Sequence, residues 1–271
     1  MATATDFTID DLICTCISRQ VEDGEVLAQG IATPLVAAGY LLAKRTHAPS
    51  VVFASAVGNV VCQDAGSLGL TRIEEFWIGH ALHFLSFAHV SCEMLPSMAA
   101  REFFRPAQVD PYGNFNNIVI GDYERPRLRL PGSGGIADVT PFLPRAYLYV
   151  PRHSRAVFVE RVDFVSGLGH VAPDHPGPRL LISELGIFDY AGGRMRLVSH
   201  HPGVTVDRIR RQTGFALDVA PDLHETPPPS AEEVRLLREE IDPLGIRELE
   251  RMSGGQRRKR LRAIVQAEQR S

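Results

Sequence analysis

The run Ser50-Val51-Val52-Phe53-Ala54-Ser55-Ala56 limits the possible folds more than any other part of this chain. It is almost entirely apolar, short, and set behind a helical pattern. A strand that is apolar on both faces needs cover on both sides, and parallel sheets with helices packed on them provide it. The residues before it complete a β-α-β unit over residues 25–57. Glu25–Gln29 reads as a short strand that Gly30 breaks. Thr33-Pro34 reads as an N-cap with proline at the first helical position. Leu35 to Arg45 continues as a mostly apolar helix that ends at His47-Ala48-Pro49.

Other segments fit the same plan. Residues 8–21 predict an amphipathic helix capped by Thr8 with Asp11 three positions on. Its apolar face is Ile9, Leu12, Ile13, Cys16 and Ile17, so Cys16 belongs to the core and Cys14 to another face. Strands are predicted at Ala146–Val150, Ala156–Val165, Leu180–Phe188 and Met195–Ser199. Residues 72–89 place Ile73, Phe76, Trp77, His80, Ala81, Phe84 and Phe87 at helical spacing, which predicts buried helix. His80 and His83 would then lie three apart on it, a spacing open to a metal pair but without a third ligand. Pro227-Pro228-Pro229 is a stiff spacer. Ser230 and Glu233 form a second capping box, followed by the stripe Val234, Leu237 and Ile241, with Pro243 and Gly245 as the stop. The expected class is α/β, an open, mainly parallel sheet with flanking helices.

Charge is uneven. The chain of 271 residues has a net charge of −3, but residues 251–271 carry seven Arg or Lys and one Glu. The expected organisation is one domain over 1–250 and a basic C-terminal extension over 251–271, either a solvated helix or disordered. The overall acidic balance gives no reason to expect nucleic acid. No apolar run is long enough for a membrane span. The amino terminus has no basic start and no apolar core of a secretory signal. The cysteines Cys14, Cys16, Cys62 and Cys92 have no zinc spacing. A reduced, cytoplasmic protein is expected.

Two segments carry candidate chemistry. Leu130-Pro131-Gly132-Ser133-Gly134-Gly135-Ile136-Ala137-Asp138 has three glycines in four positions. It fits a glycine-rich surface turn, or a cradle of backbone N–H groups for a phosphate or a developing oxyanion. Upstream lies Gln108-Val109-Asp110-Pro111-Tyr112-Gly113-Asn114-Phe115-Asn116-Asn117, which leads through Ile120-Gly121-Asp122-Tyr123 to the loop. Ligands of parallel sheets bind at the carboxyl ends of strands, so these turns and the Ser55–Asn59 turn are expected at one rim. Asp174, His175, His200 and His201 sit beside proline or glycine, where polar turn residues are ordinary. Met252-Ser253-Gly254-Gly255-Gln256 looks like a transport-ATPase signature, but no phosphate loop accompanies it.

These motifs resemble the β subunit of family I CoA-transferases of the glutaconate type. So do Phe164-Val165-Ser166, Ser183–Asp189, His201-Pro202-Gly203-Val204-Thr205, Thr213-Gly214-Phe215, Glu225–Pro229 and Ile241–Gly245. The resemblance runs from about residue 8 to residue 248 and leaves the basic tail without a counterpart. It implies an open α/β fold and a homologous α subunit in an α2β2 heterotetramer, with the active site at the subunit interface. The coenzyme A thioester is the substrate, with no permanently bound cofactor and no metal. In typical members a β-subunit glutamate attacks the thioester carbonyl and forms a mixed anhydride with release of CoA. The CoA then forms a glutamyl thioester, and a second acid accepts it. The residues expected against the CoA thioester are Gly58, Asn114, Asn116, Gly132, Ser133, Gly134 and Gly135.

The chain departs from that pattern at the glutamate. From Ser50 to Gln63 there is no Asp or Glu, and the matching position is Ala56, with Ser55 the neighbouring candidate. Glu74 and Glu75 lie on the pattern read as helix and are expected to be exposed or structural. Two relatives lack the glutamate: a ring-opening hydrolase of steroid breakdown, and a decarboxylase with cysteine in its place. Three readings follow. The chain is a subunit of a CoA-transferase, of a glutamate-less hydrolase or decarboxylase of the same fold, or a non-catalytic CoA-binding or scaffolding subunit.

Overall fold

The computed structural model describes residues 2–30, 33–55, 58–71, 78–171 and 175–270. Ala56, Ile73, Glu74, Glu75, Phe76, Trp77 and Asp174 lie outside the described residues. The chain forms two compact units, one of residues 1–90 with 228–271 and one of residues 91–227.

The first unit contains the β-α-β element read from the sequence. Strand β1 (Val26–Ala28) pairs in parallel with β2 (Val52–Ser55), and the Pro34–Thr46 helix connects them. β3 (Val60–Cys62) and β4 (Ala81–Phe84) then add antiparallel, giving the order β1-β2-β3-β4. The Ile9–Ser18 helix has the expected reciprocal cap between Thr8 and Asp11. Leu12, Ile13, Ile17, Leu35, Tyr40 and Phe53 are buried, each stabilising the unit by roughly 1.5–3 kcal/mol. Cys16 is core as expected, and so is Cys14, whose thiol donates to the Leu35 carbonyl.

The carboxyl-terminal segment closes this unit. Ser230 and Glu233 form their capping box, and Val234, Leu237 and Ile241 are buried. Arg247 is buried between Asp11 (2.7 Å) and Asp242 (2.9 Å), and Arg238 also reaches Asp11 (2.8 Å). Thr33 makes no side-chain cap of the Pro34–Thr46 helix; Glu250 accepts from the Leu35 N–H at 3.0 Å instead. The basic tail is a helix, Gly254–Glu268. It docks through buried Ile264 and through Glu268, which accepts from the N–H of Leu70 and the hydroxyl and N–H of Thr71.

The reading of residues 72–89 as buried helix fails over residues 81–84 and holds in secondary structure at the short, exposed Phe87–His89 helix. Ala81–Phe84 is strand, register-paired through His83 to Val61 and through Phe84 to Val60. His80 and His83 are exposed and share no helix, and Phe84 and Phe87 are exposed rather than buried. Aromatic and histidine residues suit an edge strand as well as a helix, and pairing to β3 decides the outcome.

The second unit begins with strand β5 (Arg101–Phe104), followed by two small hairpins. These are β6 (Gln108–Val109) with β7 (Phe115–Asn116), and β8 (Val119–Gly121) with β9 (Pro126–Arg129). The later strands are β10 (Arg145–Val150), β11 (Leu180–Ser183), β12 (Gly186–Asp189), β13 (Arg196–His200) and β14 (Asp218–Glu225). They join β5 in a six-stranded sheet in the order β14-β13-β12-β11-β10-β5. β10 runs parallel to β5 and β11, and β13 parallel to β14; β11-β12-β13 is antiparallel. Leu180–Phe188 is therefore a hairpin rather than one strand.

Residues 156–165 make no strand. Val109 bonds to Val157 and Val159 there, forming a single bridge to Phe158. Asp163 then turns its carboxylate onto the Gln108 amide and the Gly121 N–H, both at 2.9 Å. A side chain spent on backbone donors competes with a continued ladder. The open α/β plan with flanking helices is present.

Candidate functional site

The second unit assembles the two motif segments from local hydrogen bonds. Asp110 shapes the first turn. One carboxylate oxygen accepts from the N–H of Tyr112 (2.9 Å) and of Asn114 (3.0 Å), and the other from the Asn114 side-chain amide (2.9 Å). Burial raises the Asp110 carboxyl above its ordinary value, against the lowering pull of these donors. The Asn114 carbonyl oxygen in turn accepts from the Gly169 N–H at 2.9 Å. Gly169 crosses the turn so closely that a Cβ there would lie 2.2 Å from the Tyr112 carbonyl oxygen.

Asn116 is fully committed as well. Its amide donates to the Gln108 carbonyl (2.7 Å) and to the Val119 backbone (2.6 Å), while its oxygen accepts from the Ile118 N–H (2.9 Å). Asn114 and Asn116 thus spend their polar atoms within the turn and fix its shape. Asn117 joins the turn to the glycine loop, because its carbonyl accepts from Gly132 at 3.2 Å and its side chain from Ala107 at 2.9 Å.

The loop itself has a distinctive backbone. Gly132, Gly134 and Gly135 have φ of 114°, 50° and 88°, values that side-chain-bearing residues rarely adopt. The Ser133 and Gly135 carbonyls accept from Ile136 and Asp138 and start the short Ile136–Val139 helix. The N–H groups of Ser133, Gly134 and Gly135 donate to no acceptor among the described residues. A Cβ built on Gly132 or Gly134 would meet nothing within 4 Å, so the loop borders open space. Three successive free N–H groups beside open space suit an anionic oxygen.

The remaining candidates lie in the first unit. Ser55 ends β2 and is buried, and its hydroxyl accepts from the Gly58 N–H at 2.9 Å. Among the described residues no histidine or carboxylate is hydrogen-bonded to Ser55, so nothing there activates it as a nucleophile.

Histidines serve the fold. His201 bonds to the Ser183 carbonyl and the Thr226 hydroxyl, and burial pushes its imidazole down to about 4. His175 contacts the Gly169 carbonyl at 3.0 Å, and His200 is half-buried at the end of β13. No group of three His, Cys, Asp or Glu side chains is placed to hold a metal among the described residues.

His153 and Glu102 are among the buried ionisable groups that the sequence pattern does not single out. His153 bonds to the hydroxyls of Ser183 (3.0 Å) and Thr213 (3.1 Å), stacks on Phe158 at 3.6 Å, and is pushed by burial to about 3. Glu102 on β5 is buried with one oxygen unpartnered among the described residues, and burial alone lifts its carboxyl to about 8. The only sequence signal for Glu102 is a lone carboxylate in the strand-like run Arg101–Phe104.

Comparison with known proteins identifies the family and the fold. The family model for coenzyme A transferase matches residues 13–212. The chain is 30% identical to the B-type chain of glutaconate CoA-transferase from Acidaminococcus fermentans, over 90% of this chain and 96% of that protein. It is 33% identical to the IpdB chain of the cholesterol ring-cleaving hydrolase from Mycobacterium bovis, over 87% and 94%. Among solved structures, the decarboxylase AibA/AibB matches with a TM-score of 0.79 and 29% identity, over 90% of this chain and 98% of that one. Rhodococcus jostii IpdAB matches with a TM-score of 0.79 and 26% identity, over 92% and 100%.

Proposed function

Because the chain belongs to the coenzyme A transferase family, we propose that it is the β-type subunit of a two-chain enzyme acting on an acyl-CoA thioester. The observation that carries the reading is the open Gly132–Gly135 loop with its three unclaimed N–H groups. In this reading those donors hold an anionic oxygen of the substrate, either a CoA phosphate or the thioester oxygen as it gains charge under attack. Asp110, Asn114 and Asn116 act by position, holding the turn whose Asn117 carbonyl anchors Gly132. Gly58 shapes the Ser55 turn in the same way. The coenzyme A thioester enters as substrate. The partner is a homologous α subunit, in an α2β2 assembly in the cytoplasm. No helix among the described residues is long and apolar enough to cross a membrane.

One observation favours a second reading of the chemistry. With no carboxylate from Ser50 to Gln63, this chain has no glutamate there to form an anhydride. Hydrolysis or decarboxylation then replaces transfer, with the reacting group supplied by the α subunit. A non-catalytic CoA-binding or scaffolding role is the third reading.

Borohydride trapping separates them. The complex is incubated with an acyl-CoA, reduced, and examined by mass spectrometry. Turnover with no reduced carboxyl on this chain supports the second reading; a reduced glutamate on this chain establishes transfer. Turnover that survives Gly134→Val with the complex intact defeats the proposed role of the loop, and absence of any CoA binding leaves only scaffolding.

A further inference from the structure

From Phe76 to Cys92 the sequence contains no Asp, Glu, Lys or Arg, in a chain where such residues make up 23%. From Ile78 to His89 no residue is buried, and only Val90 and Ser91 at the end of the stretch join the core. Ile78 is 41% exposed, Leu82 59%, Phe84 66% and Phe87 41%. Leu82 and Phe84 lie two apart on β4, the end strand of the first unit's sheet, which pairs only with β3 among the described residues. Taking about 200 Å² for a full aromatic side chain and somewhat less for leucine or isoleucine, these four residues expose roughly 400 Å².

Exposed sheet edges are normally blunted by lysine, proline or inward charges, because a bare apolar edge recruits other chains. β4 has none of these within Ala81–Phe84. Charge depletion with aromatic enrichment marks the core of an interface rather than its rim. A patch of this size is about half of what one side of a standard interface buries. It sits with histidines His80, His83 and His89, neutral in formal charge, and with Ser86, whose hydroxyl caps the Phe87–His89 turn.

We propose that the exposed edge and face of β4, with Ile78 and Phe87, is where the α-type subunit docks. The inference rests on the reading of this chain as one subunit of a two-chain enzyme. The solved relatives supply the occupant: AibA/AibB and IpdAB are each two-chain proteins. The partner surface it fits is apolar and uncharged, since a charged one would lose hydration here without gaining an ion pair.

The test uses the full chain, tagged and co-expressed with the α-type CoA-transferase chain encoded in the same genome. Leu82→Glu with Phe84→Glu alters only exposed side chains, and circular dichroism of the variant alone checks that it folds. The expected result is wild-type co-purification, slower amide exchange across residues 79–87 in the complex, and about a hundredfold weaker association of the variant, as for carboxylates buried unpaired at an interface. A wild-type complex with unchanged exchange at 79–87 and a variant that still associates overturns this inference and leaves the two-chain reading intact. No association of the wild-type chains overturns both. A homodimer of this chain that the double variant dissociates overturns the choice of occupant.

Discussion

Replacing Asp110 tests whether its carboxylate builds the turn beside the glycine loop. Three donors converge on it: the Tyr112 and Asn114 N–H groups on one oxygen and the Asn114 amide on the other. Tyr112 is exposed, so water can replace its bond, whereas Asn114 is buried. Leaving a buried donor unmade costs about 1–3 kcal/mol, and a bond to a charged acceptor contributes about 1.5–3 kcal/mol. With two donors stranded at Asn114, Asp110→Ala should destabilise the protein by about 3 kcal/mol. Asp110→Asn keeps an oxygen for both backbone donors and loses only the third bond, so about 1 kcal/mol is expected. Urea unfolding followed by circular dichroism reads both values, and calorimetric titration with CoA reads the loop. Affinity should fall in the same order, because the turn holds Gly132 through Asn117. Equal effects of the two substitutions, or a loss under 1 kcal/mol for alanine, would refute the reasoning and leave the Gly169 crossing as the element that holds the turn.

Gly169→Ala should cost about 2–3 kcal/mol or prevent folding, because its Cβ meets the Tyr112 and Asn114 backbone rather than a movable side chain; thermal unfolding with a normal melting temperature would contradict this. Glu102 gives a pH signature. Its folded carboxyl titrates near 8 against an ordinary value of 4.5, so the folded state holds the extra proton between those values and stability falls as pH rises through that window. Glu102→Gln should flatten that slope, matching wild type near pH 4.5 and exceeding it at pH 8 in urea midpoints. Arg247→Leu removes the cation between Asp11 and Asp242 and should cost about 3–5 kcal/mol, as for other broken buried pairs, with Arg247→Lys recovering only part of it in the same unfolding assay.

Local rules were readable where they acted alone. Thr8 with Asp11 and Ser230 with Glu233 are caps written within four residues, and both form. The apolar run around Phe53 could only be an inner strand. The glycine loop and the Asp110–Asn117 turn were visible as patterns, but the sequence does not tell that Asn114 and Asn116 face inward onto Asp110 and Gln108. In residues 81–84 and 156–165 the local pattern does not decide the structure, because their partners do. The first pairs with β3 as an edge strand. The second is diverted by Asp163 onto the hairpins it wraps. Thr33 resembles a cap in sequence, yet the cap comes from Glu250, over two hundred residues away. His153 carries no local signal and Glu102 only that of a lone carboxylate in a strand-like run, since burial is what makes both unusual.

The most direct measurement presents the reconstituted two-chain complex with a panel of acyl-CoA thioesters and identifies products by mass spectrometry. The account predicts that at least one thioester is bound and converted, and that Gly134→Val abolishes both while the complex stays assembled. An intact complex that binds and converts none of them, or a Gly134→Val complex as active as wild type, would contradict it.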